Sequence, residues 1–250
     1  MKLRTLFLVL LLPLCLVAQT KIEKSFPLES SQALILDFDY PELIKVNTWD
    51  KQEVSIRGMV SINRGENDGA FELVSEIRDH ALSIKSLIRD RDRLPKRLLI
   101  MHGGTEYYFK TDNYQDAEVQ KFFTEKGREY RYMNNGVIIE IELEIFIPKN
   151  VKTLINAKYG IVELLSCDAP IHVEATYGGV DVTIPKDKGP SELKAKTKFG
   201  EIYTNLTQKP QQANYPDDYK NWTSIHYALG NGNPLHVESK YGKVYLRTAK

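Results

Sequence analysis

Only two cysteines stand in 250 residues, Cys15 and Cys167, so no disulfide framework staples this chain. An excess of charge of either sign is also lacking, with 34 basic residues against 33 acidic ones. No global attraction to nucleic acid follows from that balance. No run after residue 18 is apolar enough to span a membrane, which excludes a transmembrane segment in the body of the chain. Nucleotide-binding glycine loops, zinc-ligand spacings and nucleophile elbows are absent as well.

The first 18 residues differ from the rest. Lys2 and Arg4 precede the apolar run "LFLVLLLPLCLVA", which is short and contains a proline. This pattern reads as a signal peptide ending at Ala18, so residues 19–250 form the expected mature domain, outside the cytoplasm in the periplasm or at the cell surface. Cys15 raises a lipoprotein reading, but Leu14 stands where lipid attachment needs a small residue. Loss of Lys2 and Arg4 leaves 32 basic and 33 acidic residues, a net charge of −1. With Cys167 alone remaining, the domain must be held by its apolar core.

What the sequence does have is a repeat. "NAKYGIVEL", "EATYGGVDV", "KTKFGEIYT" and "ESKYGKVYL" align on an aromatic followed by glycine: Tyr159–Gly160, Tyr177–Gly178, Phe199–Gly200 and Tyr241–Gly242. Two residues earlier stands a small residue, Ala157, Ala175, Thr197 or Ser239. Three residues later comes Val162, Val180, Ile202 or Val244. Side chains alternate faces along a strand. The apolar positions before and after the glycine have opposite parity, so the chain must turn a corner at aromatic–Gly for both halves to reach one core. Glycine tolerates the positive φ or close backbone approach of such a corner. The aromatic is expected to fill its inside.

Repeats of about 20 residues with two short strands each predict an all-β, single-domain β-solenoid, a stack of rungs in a β-helix-like arrangement. An antiparallel β-sandwich is the alternative. "ALILDFDYPELIKVNTWDKQEVSIRG" fits more loosely, with Pro41 in place of the corner glycine. "FELVSEIRDHALSIKS" has two alternating halves around Arg78, Asp79 and His80. "VIIEIELEIFIP" is the clearest strand, with Ile139, Ile141, Leu143, Ile145 and Ile147 inward and Glu140, Glu142 and Glu144 outward.

Residues 89–136 break the pattern and read as an insertion carrying one short helix. Asp112 and Gln115 resemble a capping box. Val119, Phe122 and Phe123 form its apolar face, and Gly127 is a stop. Tyr107, Tyr108, Phe109, Tyr114, Tyr130 and Tyr132 are interleaved here with Arg128 and Arg131. Aromatic and cationic groups of this kind stack on sugars or grip protein partners, so the cluster is the candidate partner-binding site.

The corner repeat, the export signal, "IKVNTWDKQEVSIRG" and "HVESKYGKVYLR" together resemble the bacterial putative-adhesin β-solenoids, a group that includes the auto-transporter adhesin head (GIN) and toast-rack domains. The resemblance covers most of residues 33–248. Pro41, the helical insertion and the long loop before the last repeat depart from it. It implies an exported, adhesin-like envelope or surface interaction module with no catalytic residues, no cofactor, and an envelope protein or glycan as partner.

Other chemistries find weaker support. His172 and His236 sit five residues before their corner tyrosines, with Glu174 and Glu238 two residues later. Lys194 and Lys196 occupy the same columns in the repeat between them, which argues for a charge ladder and against a metal. Cys167 reads as a small packing residue. Asp37 with Asp39, or the glutamates of "VIIEIELEIFIP", are the carboxylates a carbohydrate-active enzyme would need. A periplasmic protein-binding partner of a signalling system is the third reading. If the signal peptide is cleaved as expected, mass spectrometry of the native protein finds Gln19 at the amino terminus and no lipid. A chain beginning at an acylated Cys15 would refute it.

Overall fold

A computed structural model describes residues 19–187, 189–211 and 221–249. The expected signal peptide, and most of the polar loop expected between residues 207 and 222, lie outside the described residues.

The amino-terminal part contributes β1 (Thr20–Pro27), β2 (Ala33–Phe38), β3 (Leu43–Trp49), β4 (Glu53–Ile62), β5 (Phe71–Arg78) and β6 (Ala81–Ile88). The insertion holds β7 (Arg97–His102), β8 (Thr105–Phe109), α1 (Ala117–Lys126) and β9 (Tyr132–Gly136). The long strand β10 (Ile139–Pro148) returns the chain to the main body. Short strand pairs follow, each joined by an aromatic–Gly corner. They are β11 (Thr153–Ala157) with β12 (Ile161–Leu164), and β13 (Ile171–Ala175) with β14 (Val180–Ile184). Next come β15 (Leu193–Thr197) with β16 (Ile202–Thr204), then the lone β17 (Thr223–Tyr227), then β18 (Leu235–Ser239) with β19 (Val244–Thr248).

These strands form two eight-stranded sheets around one core. One sheet runs β1-β4-β10-β3-β12-β14-β19-β16 and the other β17-β15-β18-β13-β11-β2-β6-β5. Each pair places one strand in each sheet, and equivalent residues lie side by side in parallel register, as in Ile155 with Val173 and Val162 with Val180. Parallel neighbours need a crossover, and here the crossover is a strand of the opposite sheet. Alternation then turns Leu34, Leu36, Ile155, Val173 and Val237 of one sheet towards Ile44, Val162, Leu164, Val182 and Leu246 of the other, all at most 2% exposed. Each such side chain contributes about 1.5–3 kcal/mol on burial.

The all-β expectation holds, but neither simple architecture does. The parallel steps are flanked by antiparallel pairs, β1 with β4, β4 with β10, β5 with β6, and β15 with β17. Both sheets are therefore mixed, and two large sheets over one core give the layering of a sandwich instead of a uniform solenoid. Spatial order also departs from chain order. The last pair, β18–β19, lies between β13–β14 and β15–β16. Strand β10 buries Ile141, Leu143, Ile145 and Ile147 as its alternation requires. The halves around Arg78, Asp79 and His80 form a hairpin, with Asp79 and His80 at positive φ as a tight primed turn demands.

The insertion is more than a helix. β8, β7 and β9 make a third, antiparallel sheet, and α1 closes a separate small core of Leu98, Ile100, Phe109, Val119 and Phe122. The helix starts at Asp116, whose carboxylate accepts the Glu118 N–H at 2.9 Å, and not at the expected Asp112–Gln115 box. It ends at Gly127, at φ 83°, as expected.

The corners depend on glycine chiefly through space. A Cβ on Gly178 would lie 1.3 Å from the Gly160 carbonyl oxygen, one on Gly242 2.1 Å from that of Gly178, and one on Gly200 1.9 Å from that of Gly242. Only Gly160 of the four has a positive φ. Small hydroxylated residues lace the later corners. Ser239 Oγ accepts the Gly242 N–H at 2.8 Å and donates to the Gly178 carbonyl at 2.7 Å. Thr197 Oγ1 does the same with Gly200 and Gly242. Gly178→Ala is expected to cost about 3 kcal/mol or more, in the tail of single-residue effects. Gly69→Ala, where a Cβ meets nothing within 4 Å, should stay within about 0.5 kcal/mol. Denaturant unfolding of both variants checks the contrast, and similar midpoints would refute it.

Candidate functional site

The corner aromatics are not inside the corners. Tyr159, Tyr177, Tyr241 and Phe199 are 43%, 55%, 45% and 62% exposed. The chain begins its turn one residue before each aromatic, which rotates the ring outwards and leaves Ala157, Ala175, Ser239 and Thr197 to line the interior. In spatial order the rings stack as Tyr159, Tyr177, Tyr241, Phe199. Their centroids are 5.3, 5.2 and 5.0 Å apart and their planes within 15° of parallel. Each contact adds about 0.5–1.5 kcal/mol beyond area burial.

Beside this ladder runs a second column, Lys158, Thr176, Lys240 and Lys198, in the same register. The Lys158, Lys240 and Lys198 ammonium groups lie 5.6, 5.4 and 5.3 Å from the centroid of the ring that follows each in sequence. Lys158 also meets Asp39 at 3.9 Å, an exposed contact. Lys240 and Lys198 form no ion pair among the described residues. The result is a narrow ridge where one sheet passes into the other, about 15 Å long over three strand spacings. Acidic side chains flank it. Asp37, Glu174 and Glu238 lie along one outer face, with Glu238 paired to Lys196 at 2.6 Å. Glu163, Asp181 and Glu201 lie along the other, where Asp181 meets Arg247 and Glu201 meets Lys243.

The candidate cluster of the insertion is divided by the structure. Phe109 is buried, and Tyr107 packs against Phe122 with ring centroids 4.7 Å apart. Tyr108 donates to the Asn63 carbonyl and accepts from Arg97, whose guanidinium meets Glu66 at 2.7 Å. These residues hold the insertion together and attach it to the main body. Tyr114, Tyr130 and Tyr132 stay exposed. Arg128 covers Phe123 at 5.2 Å, and the Arg131 N–H donates to the Met101 carbonyl.

The histidine columns contain the expected residues in a different order. His172 pairs in register with His236, and His236 with Lys194, so no lysine separates the two imidazoles. Their rings meet edge to face at 5.9 Å. Burial pushes the His172 pKa down. Among the described residues no group of three or more His, Cys, Asp or Glu side chains is arranged to hold a metal ion. Glu192 joins this region. Its carboxylate meets Lys194 Nζ and His236 Nε2 at 2.7 Å each, and His226 Nε2 at 3.4 Å, linking β15, β17 and β18. Hydrogen bonds from Lys194 and His236 hold its pKa down at about 2.

The remaining candidates for chemistry fall into separate groups, and Asp37 and Asp39 line one cleft with Glu174 and Lys158. Cys167 is buried, and desolvation pushes its thiol up to about 12, far from a reactive thiolate. Asp37 lies on the outer face of one sheet, while Glu140, Glu142 and Glu144 lie on that of the other. Glu42 joins the latter group, and its pKa is raised by burial and by Glu140 and Glu142.

No protein-family model matches this chain, and no curated protein does. Among solved structures, a "putative cell adhesion protein" from Clostridium sporogenes is similar at 10% identity and a TM-score of 0.45, over 93% of this chain and 100% of that one. A "putative adhesin" from Bacteroides fragilis is similar at 10% identity and a TM-score of 0.22, over 93% of this chain and 99% of that one.

Glu192 supplies a pH test. A carboxylate with a depressed pKa stabilises the fold above its ordinary value near 4.5 and loses that contribution as pH falls towards about 2. Glu192→Gln should therefore lower Tm by about 1–4 °C at neutral pH, the modest range of a partly exposed charge. The gap from the unaltered protein should close between about pH 4.5 and about 2. A gap that persists unchanged at the acid end would show that the loss is not electrostatic.

Proposed function

We propose that this chain is an exported, non-catalytic interaction module of the adhesin type, acting at the cell envelope or surface, and that it binds through the corner ridge. One observation carries the reading. Four aromatic rings and three lysines are held in strict register on the outside of the fold, where burial gives them no role in the core. On this reading the parallel steps are a short solenoid segment whose repeat serves to array side chains. The partner is an envelope glycan or protein, and no cofactor takes part.

An enzyme of the carbohydrate-active class fits less well. Such chemistry needs two carboxylates converging on one bond, whereas Asp39 meets Lys158 at 3.9 Å and Glu140, Glu142 and Glu144 follow one another along one outer strand face. The exposed tyrosines of the insertion remain the alternative binding site.

The test is retention of labelled protein on washed envelope fractions. Lys198→Glu with Lys240→Glu should reduce retention at least tenfold and leave the circular dichroism unchanged. Tyr130→Ser with Tyr132→Ser should have little effect. The opposite pattern would move the site to the insertion. New reducing ends released from envelope polysaccharide by the unaltered protein would overturn the non-catalytic reading.

A further inference from the structure

The ridge restricts what it can hold. Neutral sugars bind aromatic residues by laying their C–H faces on ring faces, and nucleobases bind by stacking on them. Here those faces are already occupied, since each ring covers its neighbour at 5.0–5.3 Å. Only the outer faces of Tyr159 and Phe199, at the two ends of the ladder, have no ladder ring against them. Along its length the ladder offers ring edges, which carry the positive side of the aromatic quadrupole. It also offers the hydroxyls of Tyr159, Tyr177 and Tyr241 and, beside them, the ammonium groups of Lys158, Lys240 and Lys198. These are groups that meet anions.

Shape and charge narrow the class further. The ridge is one corner wide, and the faces beside it mix acidic and basic side chains, with Glu238, Asp181 and Glu201 already paired to Lys196, Arg247 and Lys243. A flat anionic membrane would bring its charge against Glu174 and Glu163 as well as against the lysines. A single linear chain can lie along the crest between the flanks, up to Asp39, which stands beside Lys158 at the end of the column. Lys240 and Lys198 stand one strand spacing apart, about 4.8 Å, and Lys158 two spacings from Lys240. A pyranose unit is comparable in length to one such spacing, so a polymer of acidic sugars carries its carboxylates at intervals the lysines can match. The tyrosine hydroxyls would meet the sugar hydroxyls between them.

Building on the ridge as the binding site, we infer that its ligand is a linear acidic polysaccharide of the uronate class, held by Lys158, Lys198 and Lys240 with the tyrosine hydroxyls of the ladder.

The experiment measures binding of the purified protein to polygalacturonate and to its fully methyl-esterified form, with oligodeoxythymidylate and phosphatidylglycerol vesicles as competing probes. The expected result is binding to polygalacturonate that weakens with salt, and at least tenfold weaker binding to the ester. Lys198→Gln with Lys240→Gln should lower affinity at least tenfold and flatten the salt dependence, with Tm unchanged. Equal binding of acid and ester would overturn the inference, as would tighter binding of the oligonucleotide or the vesicles. If polygalacturonate is not bound but the lysine variants still lose the envelope, the ligand class fails and the ridge stands. If the variants keep the envelope, the ridge itself fails.

Discussion

At each corner the carbonyl oxygen of one step lies where the side chain of the next would begin. That contact sets the separation of successive steps, and so the register in which both sheets pair. Strand hydrogen bonds alone would tolerate a slip, and alternation would then carry the apolar residues outwards. The glycines, laced by Ser239 and Thr197 in the later steps, fix equivalent residues side by side. Everything else of interest in the molecule is a column produced by that register: the buried valines, the stacked rings, the lysines and the acidic flanks.

The same register explains why an exposed row of aromatics need not be a sticky surface. A lone surface tyrosine offers both faces to whatever approaches. Rings held one strand spacing apart satisfy each other and turn only their rims to solvent. Stacking thus contributes to cohesion between steps and changes the chemistry of the surface from apolar to polar and cationic.

Much of this was legible in the sequence. Alternation around a fixed aromatic–Gly offset located the strand pairs, and the strict alternation of "VIIEIELEIFIP" identified its buried face. Glycine at the corner was evident, although close approach and not backbone conformation turned out to be the main reason for it. The placement of the rings was misread because Tyr and Phe at apolar spacing look like core residues. The correcting signal was the polar residue before each of them, Lys158, Thr176, Lys198 or Lys240, which marks a turn with both side chains outward. The order of the steps was not legible, because strand patterns state which face is buried and not which neighbour is chosen. The small sheet of the insertion was not legible, because aromatic residues interleaved with cationic ones fit a binding surface as well as a strand. The run Arg97–His102 in fact supplies a central strand on which Tyr107 and Phe109 could pack.

The intercalated pair β18–β19 has a consequence for how the molecule comes into being. Synthesis proceeds from the amino terminus, and contacts distant in sequence are slow to form. Ile171 waits for Leu235, and Leu193 must be held one strand width away until the same residue arrives. The place of β18–β19, second from the end of one sheet and third from the end of the other, is therefore the last part to close, although the strands on both sides of it are made earlier. A chain stopped before Leu235 would not be a shorter stack but one parted near one end, with the unpaired edges of β13 and β15 facing each other across an empty place.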